Sequence, residues 1–209
     1  MIKIRDDDID LRVIFKHLPF IKYQIFVDIG IITSRPFPAK WIKKHLYMYE
    51  ICNHSHSHDC DKFIKWSESE QRKDIEKANN IIKKKIGVTP KYFIPPASRY
   101  DDKMLEVIDS IGLKLHPMYD SSLWLLEFIH FIPPVANYNK KIEKICVDLG
   151  KTLHPNYKNH FHFNKNNKTD KKEGWYVTHI SYNHPNVIEL EKQMKYLYEN
   201  KLTRFWEKK

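Results

Sequence analysis

The chain has 209 residues, enough for one domain and few for two, because a domain usually takes about 100–200 residues. An apolar share of 42%, with only five glycines and eleven prolines, excludes a disordered or collagen-like chain. The net charge of +10 admits anionic partners, but the positives are spread along the chain without a nucleic-acid-binding motif, so no nucleic acid is expected.

Three cysteines, Cys52, Cys60 and Cys146, cannot all pair and show no C-x-x-C spacing, which reads as reduced thiols. The run after Met1, Ile-Lys-Ile-Arg-Asp-Asp-Asp, lacks the apolar core of a secretory signal. The longest apolar stretch, Leu123 to Ala136, is short and broken by Glu127, His130 and two prolines, so no transmembrane segment is expected. A cytoplasmic protein is the expectation.

In chain order, Ile2–Arg5 and Tyr23–Ile29 read as strands, the second apolar enough for a buried sheet. Pro38–His45 reads as a helical turn and Tyr47–Cys52 as a strand that ends at a histidine cluster. From Ser69, a candidate N-cap, to Ile86, the residues Ile75, Ala78, Ile82 and Ile86 share one helical face, and Gly87 stops the helix. A strand over Tyr92–Ile94 leads to Pro95-Pro96, and Asp101 caps a helix through Ser110 that Gly112 ends. Leu113–His116, Ile145–Leu149 and Trp175–Ser181 read as further strands, and a last helix runs from Pro185 to Glu199. Residues 157–173, rich in Asn, Lys and His, read as a long polar loop. Alternating strands and helices predict a parallel-sheet α/β architecture in a single domain over 1–209.

Three polar clusters fall in or at the C-terminal ends of predicted strands, the edge where parallel α/β folds build active sites. Asp6-Asp7-Asp8 groups carboxylates that repel unless a cation or an exposed setting offsets them. Read alone, it is equally an acidic turn with Asp10 as a helix cap. In His54-Ser55-His56-Ser57-His58, the first and last imidazoles are four apart, so on a helical turn both can hold one ion. The alternative is a surface tract that binds metal loosely. His179 lies in an apolar strand, where a histidine is more often a core residue, and becomes a proton-donor candidate only beside the other clusters. Two histidines and an aspartate suit a zinc hydrolase or an iron(II) oxygenase. The local His-x-x-x-His pair with acids far upstream favours hydrolysis.

The order of these clusters resembles the polysaccharide deacetylase (NodB-like) family over residues 1 to about 184. That family carries an Asp-Asp pair after its first strand, then His-Ser/Thr-x-x-His, a Pro-rich segment, and a late Leu-x-x-His. Here they match Arg5-Asp6-Asp7-Asp8, His54 to His58, Phe93-Ile94-Pro95-Pro96-Ala97-Ser98-Arg99-Tyr100-Asp101, and Tyr176-Val177-Thr178-His179. The third motif departs from the family. Its usual arginine, which orients the catalytic aspartate, is Ile94, and Arg99 is a candidate substitute. The family's Asp/Trp motif is not recognisable, with Asp148 the candidate. Tyr176 stands where leucine is usual.

The resemblance implies a distorted (β/α) barrel of about seven strands. It implies a divalent metal, zinc first and cobalt or manganese next, held by Asp8, His54 and His58. Asp7 would be the general base and His179 the general acid; the register Asp6/Asp7 is the alternative. Pro96, Ala97, Ser98 and Arg99 would bind substrate, with a backbone N–H near Ala97 or Ser98 as oxyanion donor. The implied activity removes an acyl group, N-acetyl foremost, from an N-acetylated sugar or glycan precursor. A catalytically inactive carbohydrate-binding member of the same fold is the alternative.

Overall fold

The structure, a computed structural model, describes residues 2–117, 169, 174–178 and 187–206. Six strands lie among them: β1 (Ile2–Asp6), β2 (Val27–Ile31), β3 (Tyr49–Asn53), β4 (Tyr92–Phe93), β5 (Lys114–Leu115) and β6 (Gly174–Thr178). All pair in parallel, in the order β5-β4-β3-β2-β1-β6. The helices are α1 (Val13–Lys16), α2 (Leu18–Lys22), α3 (Ala39–Lys44), α4 (Glu68–Ile86), α5 (Asp102–Ser110) and α6 (Val187–Glu199).

The sheet is strongly curled. His116 follows β5, yet its Nε2 lies 3.1 Å from Oδ2 of Asp28 on β2. Three strand spacings in a flat sheet would separate those backbones by about 14 Å. Only a wall bent on itself lets the two side chains meet across its concave side. This is the expected α/β barrel wall. The strand predicted over Ile145–Leu149 lies outside the described residues.

Strand alternation sorts the side chains. Val27, Ile29 and Ile31 of β2 join the main apolar core with Ile4, Phe20, Ile51 and residues of α6, while Asp28 and Gly30 lie between them in sequence and face the other way. A second apolar cluster forms from Phe63, Ile75, Phe93, Met104, Val107 and Leu113.

The N-cap of α4 lies two residues before the predicted one. Ser67, not Ser69, is the N-cap: its hydroxyl accepts from the Glu70 N–H, and Glu70 answers to the Ser67 backbone N–H, closing a capping box. Gly87 ends the helix at φ 90°, a conformation that favours glycine. Asp101 caps α5 as predicted, its Oδ1 accepting from the Met104 N–H at 2.9 Å.

The strand predicted over Tyr23–Ile29 begins later, at Val27. Tyr23 ends α2, Gln24 takes the left-handed conformation at φ 54°, and Ile25 makes only an isolated bridge to Phe205. Periodicity alone does not place a boundary inside such an apolar run. Helices α1 and α2 are absent from the predicted strands and helices, and only the reading of Asp10 as a helix cap points to them: its Oδ1 accepts from the Arg12 N–H at 2.8 Å. After α6, the chain returns to the N-terminal end of β2: the Phe26 N–H donates to the Arg204 carbonyl, and the Trp206 N–H to that of Gln24. There Arg204 meets Asp28 at 2.9 Å and lies over the Phe26 ring.

Asp6 turns away from Asp7, into the helical layer. Its Oδ2 accepts from His17 Nε2 at 2.8 Å, and His17 Nδ1 accepts from the Tyr49 hydroxyl at 2.8 Å. All three are buried. Burial pushes His17 down to about 3, so the imidazole is neutral and the chain runs Tyr49 to His17 to Asp6. Because the unfolded imidazole binds a proton near 6.5 and the folded one does not, stability falls as pH drops from 6.5 towards 3. Urea unfolding should show this fall between pH 7 and 5, and a smaller one in His17→Gln. At pH 7 that variant should lose about 1–3 kcal/mol by leaving buried partners unmatched. A pH slope unchanged by the substitution would refute this reading.

Candidate metal and catalytic site

The site assembles at the C-terminal ends of β1, β2 and β3. Asp8 leaves β1 in the left-handed conformation, at φ 57°. Its Oδ1 lies 3.3 Å from Nε2 of His54 and 3.4 Å from Nε2 of His58, and the two imidazole nitrogens are 3.0 Å apart. The three are the one group among the described residues whose donor atoms lie close enough together to hold a metal ion.

The histidines converge differently from the expected helical turn. Residues 54–58 form an irregular loop in which Ser55 (φ 65°) and His58 (φ 53°) are both left-handed. Every backbone N–H of the loop is captured. That of His54 goes to the Ile31 carbonyl, and that of Ser55 to Asn53 Oδ1. Those of His56 and Ser57 go to the Asp74 carboxylate at 2.7 and 3.0 Å, and that of His58 to the Ser55 hydroxyl. Asn53 is itself held by the Ile75 carbonyl and Asn79. A local turn is thus replaced by a loop stapled to α4.

His54 Nδ1 donates to the Ile94 carbonyl at 2.8 Å, which leaves Nε2 as the lone-pair nitrogen aimed at Asp8. Burial, then the neighbouring His54, pushes His58 down to about 3. A neutral His58 imidazole, the Nε2 of His54 and a carboxylate oxygen therefore face one another in a largely buried space. A proton is a poor occupant of it, and a divalent cation with open coordination positions fits.

Asp7 sits one residue away, and its guanidinium partner is Arg5 rather than Arg99. Arg5 NH2 donates to Asp7 Oδ2 at 2.6 Å, with both side chains fully buried. Arg99 instead donates from NH1 to the Cys60 carbonyl at 3.4 Å. The signal for Arg5 was in the sequence: residues two apart on a strand share a face. Arg35, also not singled out, lies 3.5 Å from Asp8.

Gly30 leaves room for the arrangement. A Cβ there would come within 3.0 Å of Asp7 Oδ1, 3.2 Å of the Ile94 side chain and 3.4 Å of His54. Ile94, where an arginine was expected, packs here as a buried apolar residue. Pro96 and Ala97 belong to a short 3-10 turn, Pro96–Ser98, in which Ala97 takes φ 51°, and Arg99 follows it. His179 and Asp148, with the polar loop predicted over 157–173 apart from Thr169, lie outside the described residues.

Residues 37–116 match the family model described as polysaccharide deacetylase. The fold is shared with a family 4 acetyl xylan esterase from Clostridium thermocellum, solved with a cobalt ion (TM-score 0.62, 19% identity, 95% of this chain and 84% of that one). It is shared too with the peptidoglycan deacetylase PdaC from Bacillus subtilis (0.57, 19%, 96% and 84%). A third neighbour is BA3943 of Bacillus anthracis, a CE4 family pseudoenzyme (0.55, 15%, 97% and 60%). Among curated proteins none matches by sequence.

Over residues 37–116 the chain is similar to polysaccharide deacetylases, and it shares their fold.

The family match covers the His54–His58 loop and the Pro-rich turn but not Asp6–Asp8, which only the fold brings to the same place. The loop's geometry depends on Asp74, whose carboxylate holds the His56 and Ser57 N–H groups. Asp74→Ala should keep the fold by circular dichroism yet weaken zinc or cobalt binding about 10–100-fold in calorimetric titration, the usual effect of losing an outer-shell support. Unchanged affinity would show that the loop holds its shape without that carboxylate.

Proposed function

We propose that this protein is a hydrolase that removes an acyl group, N-acetyl foremost, from an amino sugar in a glycan or glycan precursor. The observation that carries the reading is the convergence of Asp8, His54 and His58 on one point beside a buried Asp7–Arg5 pair. The family match and the shared fold support it.

Asp8, His54 and His58 would hold the metal, zinc first with cobalt or manganese as alternatives. When bound, a divalent ion supplies Lewis acidity, polarising an acyl carbonyl and bringing the pKa of a water down from 15.7 towards about 7. Asp7 takes a proton from the attacking water as general base, and Arg5 fixes the direction in which its carboxylate points. The acyl C–N bond breaks as His179 donates a proton to the departing amine. Acetate and a free amino sugar result. A backbone N–H near Ala97 or Ser98 would serve as the oxyanion donor, a contribution of about 2.7–4 kcal/mol.

A second reading, a binding protein without turnover, draws on one observation: the third motif has Ile94 in place of arginine. The Arg5–Asp7 contact weighs against it by supplying a guanidinium from another strand.

Acetate release from N-acetylated sugar oligomers, measured with the metal content of the same preparations, tests these assignments. Asp7→Asn should lower kcat about 10²–10⁴-fold with metal retained. His54→Ala should lose the metal and the activity together. Full activity in Asp7→Asn removes that residue's role, and sugar binding without hydrolysis under zinc, cobalt and manganese supports the second reading. Arg5→Lys should keep more activity than Arg5→Met, since only the former leaves a charge beside Asp7.

A further inference from the structure

Helices α1 and α2 begin directly after the Asp8 turn, and their outer face does not resemble an ordinary solvated surface. Leu11, Phe15 and Leu18 are 54%, 68% and 52% exposed. Their spacing of four and three residues puts them on one helical stripe. Backbone bonds from Lys16 to Arg12, His17 to Val13 and Ile21 to His17 keep the segment close to helical across the α1–α2 junction. The opposite side is satisfied: Val13, His17, Pro19 and Phe20 are buried. The exposed stripe is therefore surplus to the core.

Basic residues interleave with it. Arg12 and Lys22 are exposed and Lys16 is half-buried. Arg12 pairs with Asp10 and Lys22 with Glu191, so these side chains are held at the surface rather than folded inward. Ile188, 67% exposed, lies one turn before Glu191 on α6, the helix to which Lys22 ties this face. Apolar side chains between lysines and arginines, on a chain of net charge +10, form the pattern that settles into a headgroup layer.

We infer that the α1–α2 face docks the protein on an anionic lipid surface. A second copy of the chain is a poorer occupant. A stable interface takes about 20–30 residues a side, far more than this stripe of three apolar side chains offers. The face begins at Leu11, three residues after Asp8. The inference does not depend on the proposed hydrolysis.

The test is co-sedimentation of the whole protein with phosphatidylcholine vesicles and with vesicles that also contain phosphatidylglycerol. Binding is expected to the anionic vesicles only, and to weaken with salt. Leu11→Ser/Phe15→Ser/Leu18→Ser should reduce it by about tenfold or more, because those side chains supply the inserted area. Phe15→Trp offers a reading independent of that triple variant: its added indole emission should shift to the blue on anionic vesicles and not on neutral ones. Absence of binding to either vesicle overturns the inference. So does equal binding by the triple variant, or concentration-dependent self-association through this face without vesicle binding.

Discussion

Three consecutive carboxylates cannot share one environment, and the way this chain separates them organises the rest of the site. Strand alternation sends Asp6 to the helical layer, where neutral His17 receives it. Asp7 goes to the concave side, where Arg5 meets it. The left-handed turn at Asp8 then swings the third carboxylate sideways, towards His54 and His58. Each carboxylate thus has a different partner: an imidazole donor, a guanidinium, and a pair of imidazoles. The repulsion that makes the run costly is resolved by direction, not by distance along the chain.

The same economy governs the facing loop. Asp8, Ser55, His58 and Ala97 are four of the six described non-glycine residues with positive φ. Each such residue costs on the order of 1–3 kcal/mol and persists only where its surroundings over-determine it. For the His54–His58 loop the surroundings are visible: five successive N–H groups find acceptors, four of them side-chain oxygens, on β2, β3, α4 and the loop's own Ser55. The packing of α4 thereby sets the direction of two imidazoles.

How much of this was readable beforehand follows from the range of each interaction. The capped helix α5 and most of α4 depend on neighbours three or four residues away, and the sequence states them almost outright. The approach of Asp8 to the histidines depends on strand order, and only the order of motifs pointed to it. The loop's true shape was hidden because a His-x-x-x-His spacing serves a helical turn and an irregular loop alike. Asp74, which decides between them, lies eighteen residues from His56 and looks like any acid on a solvated helix. The start of β2 was misplaced because Tyr23–Ile29 is apolar through a helix end, a left-handed residue and a strand, and hydropathy does not distinguish them.

The Arg5–Asp7 pair bears on what the concave side is for. Removing two charges from water usually costs more than their attraction returns, and an apolar pair of similar volume would commonly be as stable or more so. Stability alone therefore does not account for a fully buried arginine at that position. The neighbouring rows repeat the choice: Asp28, the register partner of Arg5, meets His116 across the wall and Arg204 from the C-terminal segment. An apolar filling would leave a tighter barrel with a free-swinging Asp7. A charged filling fixes that carboxylate in one direction beside His54 and His58, and fixed direction is what a proton acceptor requires and a packed core does not.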